Sequence, residues 1–376
     1  MAYSLADLPS GLPVIDLDMF LKDPQSVEGS IECKKAANAL VEYGALYVKD
    51  SRYSESDNDA FLDIMEDYFS QPAELLKKDE RPEYGFQVGA TPEGTEHPSC
   101  MSDDTCRSFV QDLDPEERPS DLGDHRNDHK SRFSYITGHR PPYETEFPFL
   151  DMPNVEPAGF NDWTATLKRL ADSMKNAVES VGEMAALGLG LEQDIFTKAT
   201  SYGPHWLAPT ASDLARHGDN GTILSGVHRD IDFLTIHGRS RYPGLNIWAR
   251  NCGKRIAVRL PPGPHLFVHA GKQLQVLSGG LIKADFHEVV VNDATLQAIE
   301  TTRTNGVRPL IRVSSSFFWH LNHDFMLDPI PSLSQKAREM SAASSEWEGD
   351  TVAYVRMKVG TYIQKELNHV AISSFA

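Results

Sequence analysis

Within Gly226-Val227-His228-Arg229-Asp230 a histidine and an aspartate stand two positions apart. Along an extended strand, residues i and i+2 point to the same side, so His228 and Asp230 can aim at one ion. His287 opens a separate strand-like run, His287-Glu288-Val289-Val290-Val291, and offers a third donor. Two neutral imidazoles and one ionised carboxylate leave half an octahedron free, the facial-triad arrangement of non-haem Fe(II) sites. A lone His-x-Asp is common and more often structural. Here the pair follows a Gly-containing loop where a strand run is expected to begin, a third histidine sits in another strand, and Arg312-Val313-Ser314 lies in the next.

Other residues invite chemistry less strongly. His125 and His129 have the i, i+4 spacing of helical metal ligands, but Asp124-His125-Arg126-Asn127-Asp128-His129-Lys130 reads as a solvated charge run. His320-Leu321-Asn322-His323-Asp324 lies past the core strands and reads as structural. Arg229, Phe233, Trp248 and Phe318 are the candidate substrate contacts; for the three aromatics, core packing or pocket wall serves as well. Lys272 and His205 could meet an acidic substrate. Tyr84-Gly85-Phe86 and Phe133-Ser134-Tyr135 could line a pocket or the core.

The elements that position these groups follow from periodicity. Leu12-Pro13-Val14-Ile15-Asp16-Leu17 reads as an edge strand behind a proline. Val27, Ile31, Ala37, Leu40 and Val41 recur at helical spacing up to Gly44, and Ala45-Leu46-Tyr47-Val48 then reads as a buried strand. Phe61, Leu62, Met65, Tyr68 and Phe69 mark a second helix, with Pro72 after it. From about Gly89 to Gly159, dense Pro, Asp and Gly without periodicity predict long loops. Trp163, Leu167, Leu170, Met174, Val178, Val181 and Ala185 give a long amphipathic helix up to the Gly188-Leu189-Gly190 break, a backing for a sheet.

Past Thr200, short apolar runs separated by Gly, Pro and Asn predict strands: Phe233–Ile236, Leu245–Trp248, Ile256–Val258, His265–Val268, His287–Val291 and Leu310–Val313. After Pro331 the pattern is helical, with Val352 to Leu367 as a closing helix.

Composition narrows the class. The chain of 376 residues is 40% hydrophobic, enough for a sizeable core, and carries a net charge of −18. That balance argues against nucleic acid and against an anionic membrane surface. No apolar run approaches a membrane span and no secretory h-region opens the chain. Cys33, Cys100, Cys106 and Cys252 are too few and too irregular for a disulfide framework. A reducing, cytoplasmic location is the expectation.

Between the triad residues a set of motifs appears in order: Pro243-Gly244-Leu245-Asn246-Ile247-Trp248, Leu260-Pro261-Pro262-Gly263, His269-Ala270-Gly271-Lys272-Gln273-Leu274, Leu277-Ser278-Gly279-Gly280, His287-Glu288-Val289, and Arg312-Val313-Ser314 followed by Phe317 and Phe318. In this the chain resembles the isopenicillin N synthase-like branch of the Fe(II)/2-oxoglutarate-dependent dioxygenases, whose pattern is H-x-D, G-L-Q-V, P-x-P-G, N-x-G-D-x-L, S-N-G, H-R-V and R-x-S-x-x-x-F. Pro13-Val14-Ile15-Asp16-Leu17 and the stretch from Leu40 to Val48 resemble its N-terminal passages, so the likeness covers most of the chain. There are departures. Trp206-Leu207-Ala208-Pro209 stands for N-Y-Y-P, whose tyrosine often helps hold 2-oxoglutarate. Lys272 replaces the aspartate of N-x-G-D, and the segment from His287 to Arg312 is longer, through Thr302–Gly306.

The resemblance implies an α+β, mainly β fold: a double-stranded β-helix (jelly-roll) core with flanking N- and C-terminal helices. The expected parts are an N-terminal helical and loop region at 1–160, the jelly-roll core with its backing helix at 161–330 and C-terminal helices at 331–376, in one globular unit. It implies Fe(II) on His228, Asp230 and His287, 2-oxoglutarate and O2 at the open positions, and oxidation of a small molecule with release of succinate and CO2. Arg312 and Ser314, on alternate positions of one strand, would hold the distal carboxylate of 2-oxoglutarate, with Arg308 as the alternative cation. Rival readings are an oxidase of this fold that needs no 2-oxoglutarate, a zinc hydrolase on the same ligands and a non-catalytic jelly-roll binding protein. Substrate, reaction outcome and oligomeric state leave no trace in the sequence.

Overall fold

The computed structural model describes residues 11–96, 100, 103–120, 128–148, 152–250, 253–306, 308–343 and 354–369. The chain enters through a short edge strand, β1 (Val14–Asp16), and two helices, α1 (Leu17–Lys22) and α2 (Val27–Tyr43). Ser26 caps α2 by accepting the Gly29 N–H, and Gly44 ends it with φ 74°, the left-handed conformation that glycine adopts without a Cβ penalty. β2 (Ala45–Lys49) pairs parallel with β1, which confirms the expected edge strand. α3 (Glu55–Phe69) and the short α4 (Ala73–Leu76) follow, then β3 (Gly89–Thr91), α5 (Asp104–Asp112) and β4 (Ser131–Ile136).

α6 (Trp163–Leu189) is the longest helix, and α7 (Ile195–Thr200) leads into the strands β5 (Trp206–Leu207) and β6 (Thr210–Asp213). After α8 (Leu214–His217) come β7 (Ile223–His228), β8 (Leu234–His237), β9 (Leu245–Trp248), β10 (Arg255–Ala257) and β11 (His265–Ala270). α9 (Lys272–Leu277), β12 (Phe286–Val290), α10 (Asp293–Asn305), β13 (Ile311–Val313) and β14 (Ser316–Trp319) complete the strand region. β15 (Met326–Leu327), α11 (Pro331–Ala343), β16 (Met357–Lys358) and α12 (Val359–His369) close it.

Two sheets make the jelly roll. The larger runs β1-β2-β11-β8-β14-β5-β4-β6-β13, with β3 paired to β4; the smaller runs β10-β9-β12-β7. Tyr47 and Phe267 of the first meet Ile247 of the second in one apolar cluster. On the outer face of the larger sheet, Leu234, Ile236, Leu266, Val268, Phe317 and Trp319 pack with Leu170, Met174, Val178 and Val181 of α6, so the long helix backs the sheet. Small residues set the approach: a Cβ on Gly182 would stand 2.7 Å from Trp319, and one on Gly188 would stand 2.2 Å from the Cys33 carbonyl oxygen of α2.

Several sequence expectations change. The region from Gly89 to Gly159 is not all loop: β3 and β4 join the larger sheet and α5 stands before it. β4 carries the alternation of a strand, with Phe133 and Tyr135 buried, but flanking Asp and Pro hide it. The long stretch before Arg312 holds α10, which Asn292 and Thr295 cap reciprocally and Gly306 ends at φ 63°. The closing helix begins at Val359, after non-helical residues from Tyr354; Val352, where it was expected to begin, lies outside the described residues. Cys100 and Cys106 are joined in a disulfide, a single bridge that spacing did not announce, and Cys33 is free and buried. Cys252 lies outside the described residues. No helix among the described residues is long and apolar enough to cross a membrane.

Gly188→Ala tests the helix contact. The added methyl has to push α6 off the α2 backbone, which costs about 1–3 kcal/mol. A urea midpoint equal to that of the parent protein would show that the two helices are not held this closely.

Candidate metal centre

β12 runs antiparallel to β7, and His287 stands directly opposite His228 in their register. His228 is the last residue of β7, so Asp230 lies in the loop beyond it rather than on the strand. The pair thus closes one strand instead of opening the next, so the two side chains converge through the turn after β7 and not through strand alternation. Asp230 Oδ1 is 3.7 Å from His228 Nε2 and 3.7 Å from His287 Nε2. These separations are too long for hydrogen bonds and suit three donors around a single ion.

Tautomer and orientation are fixed from behind. His228 Nδ1 donates to the Gly226 carbonyl at 2.8 Å, which leaves Nε2 as the lone-pair donor. Thr235 donates to Asp230 Oδ2 at 2.5 Å. His269, fully buried, has Nδ1 2.7 Å from Asp285 and Nε2 3.5 Å from Asp230. Burial, together with His287 and Lys130, pushes His228 down to about 3. For Asp230, burial works toward the neutral form, but His287, His269 and His228 outweigh it and hold the carboxyl below its usual range. Asp232 shifts the opposite way, through burial and the nearby Asp230 charge. Neutral imidazoles beside an ionised carboxylate are the donor set that Fe(II) takes, and the residues present fit it.

Arg312 supplies the second half of the site. It is buried, donates from Nε to the Tyr242 carbonyl at 3.1 Å, and has no ion pair among the described residues. Burial alone lowers it to about 10. A buried cation without a counter-ion favours an anionic ligand. Ser314 accepts the Thr210 N–H at 2.9 Å and the Ser316 hydroxyl at 3.0 Å. His237 stands between the two halves: it is 3.0 Å from Ser316 Oγ and 2.9 Å from His269 Nε2, and both Arg312 and the Asp230–His287 pair act on it electrostatically. Arg308 instead pairs with Glu66, Asp63 and Asp67 beside α3 and has no part here.

The remaining candidates divide. Phe318 lies on the strand face of Ser316, with the Arg132 guanidinium 5.8 Å from its ring. Phe233 is fully buried between Phe196 and Trp319, in the helix-side core. Trp248 stands opposite Phe286 in register, on the face of the sheet away from His287, and donates to the Glu117 carbonyl; both aromatics are core. Arg229 is held by Asp103 at 2.7 Å and sits over the Phe286 ring. Lys272 pairs with Glu366 of α12, and His205 is buried, pushed down to about 3 by burial and nearby Lys175 and His323. His320 contacts Gln273, and His323 is not grouped with it as a ligand set among the described residues. His125 lies outside the described residues.

Sequence reasoning missed a buried ionic network that anchors β7. Asp128 accepts the Gly226 N–H at 2.8 Å and Lys130 at 2.6 Å; Lys130 also reaches Glu96, which Arg132 grips with two bonds. Burial would raise Glu96, but Arg132 and Lys130 hold it down to about 2. Such pairings come from distant segments and leave no local signal.

Residues 198–321 match the model of the 2OG-Fe(II) oxygenase superfamily. Azadirone synthase LFS of Melia azedarach is 21% identical over 237 residues, which are 60% of this chain and 62% of that protein. The chain thus spans less than two thirds of the length of that relative. A 2OG-Fe(II) oxygenase family protein of Caulobacter crescentus superposes with TM-score 0.68 at 19% identity, covering 96% of this chain and 99% of the other. A Neurospora crassa protein, solved with alpha-KG and in another structure also with thymine, gives TM-score 0.68 at 19% identity over 95% and 96% of the two chains. These likenesses establish a double-stranded β-helix fold.

Thr235→Val removes the hydroxyl that orients Asp230 while keeping the shape. Loss of such a supporting bond weakens metal binding by about 10- to 100-fold. Fe(II) titration checks this, and affinity within twofold of the parent would assign the orienting role elsewhere.

Proposed function

We propose, from the match of residues 198–321 to the 2OG-Fe(II) oxygenase superfamily model, that this chain is an Fe(II)- and 2-oxoglutarate-dependent oxygenase acting on a small molecule. The observation that carries it is the pairing of two features around His237: the converging donors of His228, Asp230 and His287, and the buried, unneutralised Arg312. One feature asks for a metal, the other for a dianionic ligand long enough to reach it.

In this reading His228, Asp230 and His287 would hold Fe(II), which when bound supplies the redox chemistry with O2. Arg312 forks onto the distal carboxylate of 2-oxoglutarate, and Ser314 hydrogen-bonds beside it. Phe318 with Arg132 above it forms the wall next to the substrate. The thymine held by the Neurospora crassa protein supports, by analogy, a small molecule in that place. Fe(II) binding, succinate release and oxidation of the substrate by hydroxylation, desaturation or ring closure belong to this proposal, as does a cytoplasmic setting.

One observation favours a second reading. Ala208 lies where the resemblance places a tyrosine hydroxyl, with its N–H on the Ser316 carbonyl, so one contact to 2-oxoglutarate is missing. An oxidase of this fold that draws all its electrons from substrate fits that loss.

The test is anaerobic addition of Fe(II) and then 2-oxoglutarate to the apoprotein, followed by the visible charge-transfer band of a chelated keto acid. The parent protein is expected to show the band, His228→Ala to lose it, and Arg312→Gln to need roughly 30- to 150-fold more keto acid, the equivalent of about 2–3 kcal/mol for a charged hydrogen-bonded pair. Iron binding without a band would favour the 2-oxoglutarate-independent oxidase. Absence of iron binding would end the enzyme reading.

A further inference from the structure

A second group of metal-type donors lies outside the triad and shares no residue with it: Glu93, His129 and His217. Glu93 follows β3, His129 precedes β4, and His217 ends α8. Glu93 Oε1 is 3.2 Å from His129 Nδ1 and 2.8 Å from His217 Nε2, and all three donor atoms lie within 4.8 Å of one another. Although close to Glu93, His217 Nε2 is buried and makes no hydrogen bond. Glu93 Oε1 and His129 Nδ1 form a hydrogen bond, whereas the lone pair or N–H of His217 Nε2 is left without an aligned partner beside the same carboxylate oxygen. Arg216 holds the other oxygen of Glu93 at 3.2 Å, which turns Oε1 toward the histidines.

The two imidazoles stack with centroids 4.1 Å apart and 12° between planes. To place both nitrogens on one ion the rings must tilt apart. His217 is 15% exposed and His129 38%.

We propose that Glu93, His129 and His217 form a second divalent-metal site, of the zinc class, that pins the neck of the 93–129 segment to the jelly roll. Two imidazoles and a carboxylate with water in the fourth position make a tetrahedral zinc set. The ligands Glu93 and His129 are 36 residues apart, so one ion closes that loop onto α8 and removes much of its unfolded freedom. The segment it clips carries Asp103, which holds Arg229, and Phe109, which stacks on Phe286 at 4.2 Å. Just inside its end, Asp128 receives the Gly226 N–H. The site would therefore steady the cover over the His228–Asp230 loop without touching the triad.

Zinc binding to the full chain carrying His228→Ala and His287→Ala tests this, since the first site is disabled there. One Zn(II) per chain is expected by elemental analysis after desalting, with a rise in melting temperature. Adding His217→Ala should abolish both, and Glu93→Gln should weaken binding at least about tenfold, as expected when a charged ligand is lost. Should His217→Ala lower the metal-free melting temperature, His129→Gln, at the more exposed position, gives the same reading: in the otherwise unaltered chain it should reduce zinc from two ions to one. No zinc retained by the double variant, or full retention after His217→Ala or His129→Gln, would overturn the proposal.

Discussion

The carboxylate of Asp230 is the point on which the rest of the site turns. It is nearly inaccessible to water, and a buried charge without compensation is costly enough that the group would protonate instead. The surroundings prevent this. Two imidazole nitrogens face Oδ1 at 3.7 Å, and Thr235 and His269 attend Oδ2. His269 is in turn backed by Asp285. Asp232, close by, absorbs the electrostatic cost by shifting toward its neutral form.

Holding that arrangement needs both sheets. His228 and His287 belong to neighbouring strands of the smaller sheet, while Thr235 and His269 belong to neighbouring strands of the larger. The cluster therefore exists only where the two layers are brought together, and the apolar contacts that unite them, Tyr47 and Phe267 against Ile247, position the candidate metal ligands indirectly. Behind the larger sheet, α6 approaches closely because glycine stands where a methyl would collide. Core packing and site geometry are one problem here.

The 93–129 segment adds a third layer of control. Its last part supplies the carboxylate that receives the Gly226 N–H, and its middle supplies the partner of Arg229. The first contact anchors β7 and the second restrains the loop between β7 and β8, which carries Asp230 outside any sheet ladder. A ligand in a loop has fewer backbone bonds to hold it than one in a strand, and the buried ion pairs of Lys130, Glu96 and Arg132 offset that shortfall.

The sequence by itself determined the ligand types, their order and most strand positions, because donor chemistry and two-residue alternation are local properties. The grouping of His228, Asp230 and His287 was legible for that reason, and Arg312 and Ser314 as candidates beside it, as were β9 and the helices ending at Gly44 and Gly190. It did not reveal that Asp230 leaves the strand, that Phe233 and Trp248 face away from the centre, or that β4 completes the larger sheet. Which face a strand residue presents depends on register against its neighbours, and a shift of one residue reverses it. The network of Glu96, Asp128, Lys130 and Arg132, and the meeting of Glu93 with His129 and His217, were decided by tertiary structure alone. Those contacts join segments 95 to 123 residues apart, and nothing within a local window encodes a partner that only the folded sheets bring near.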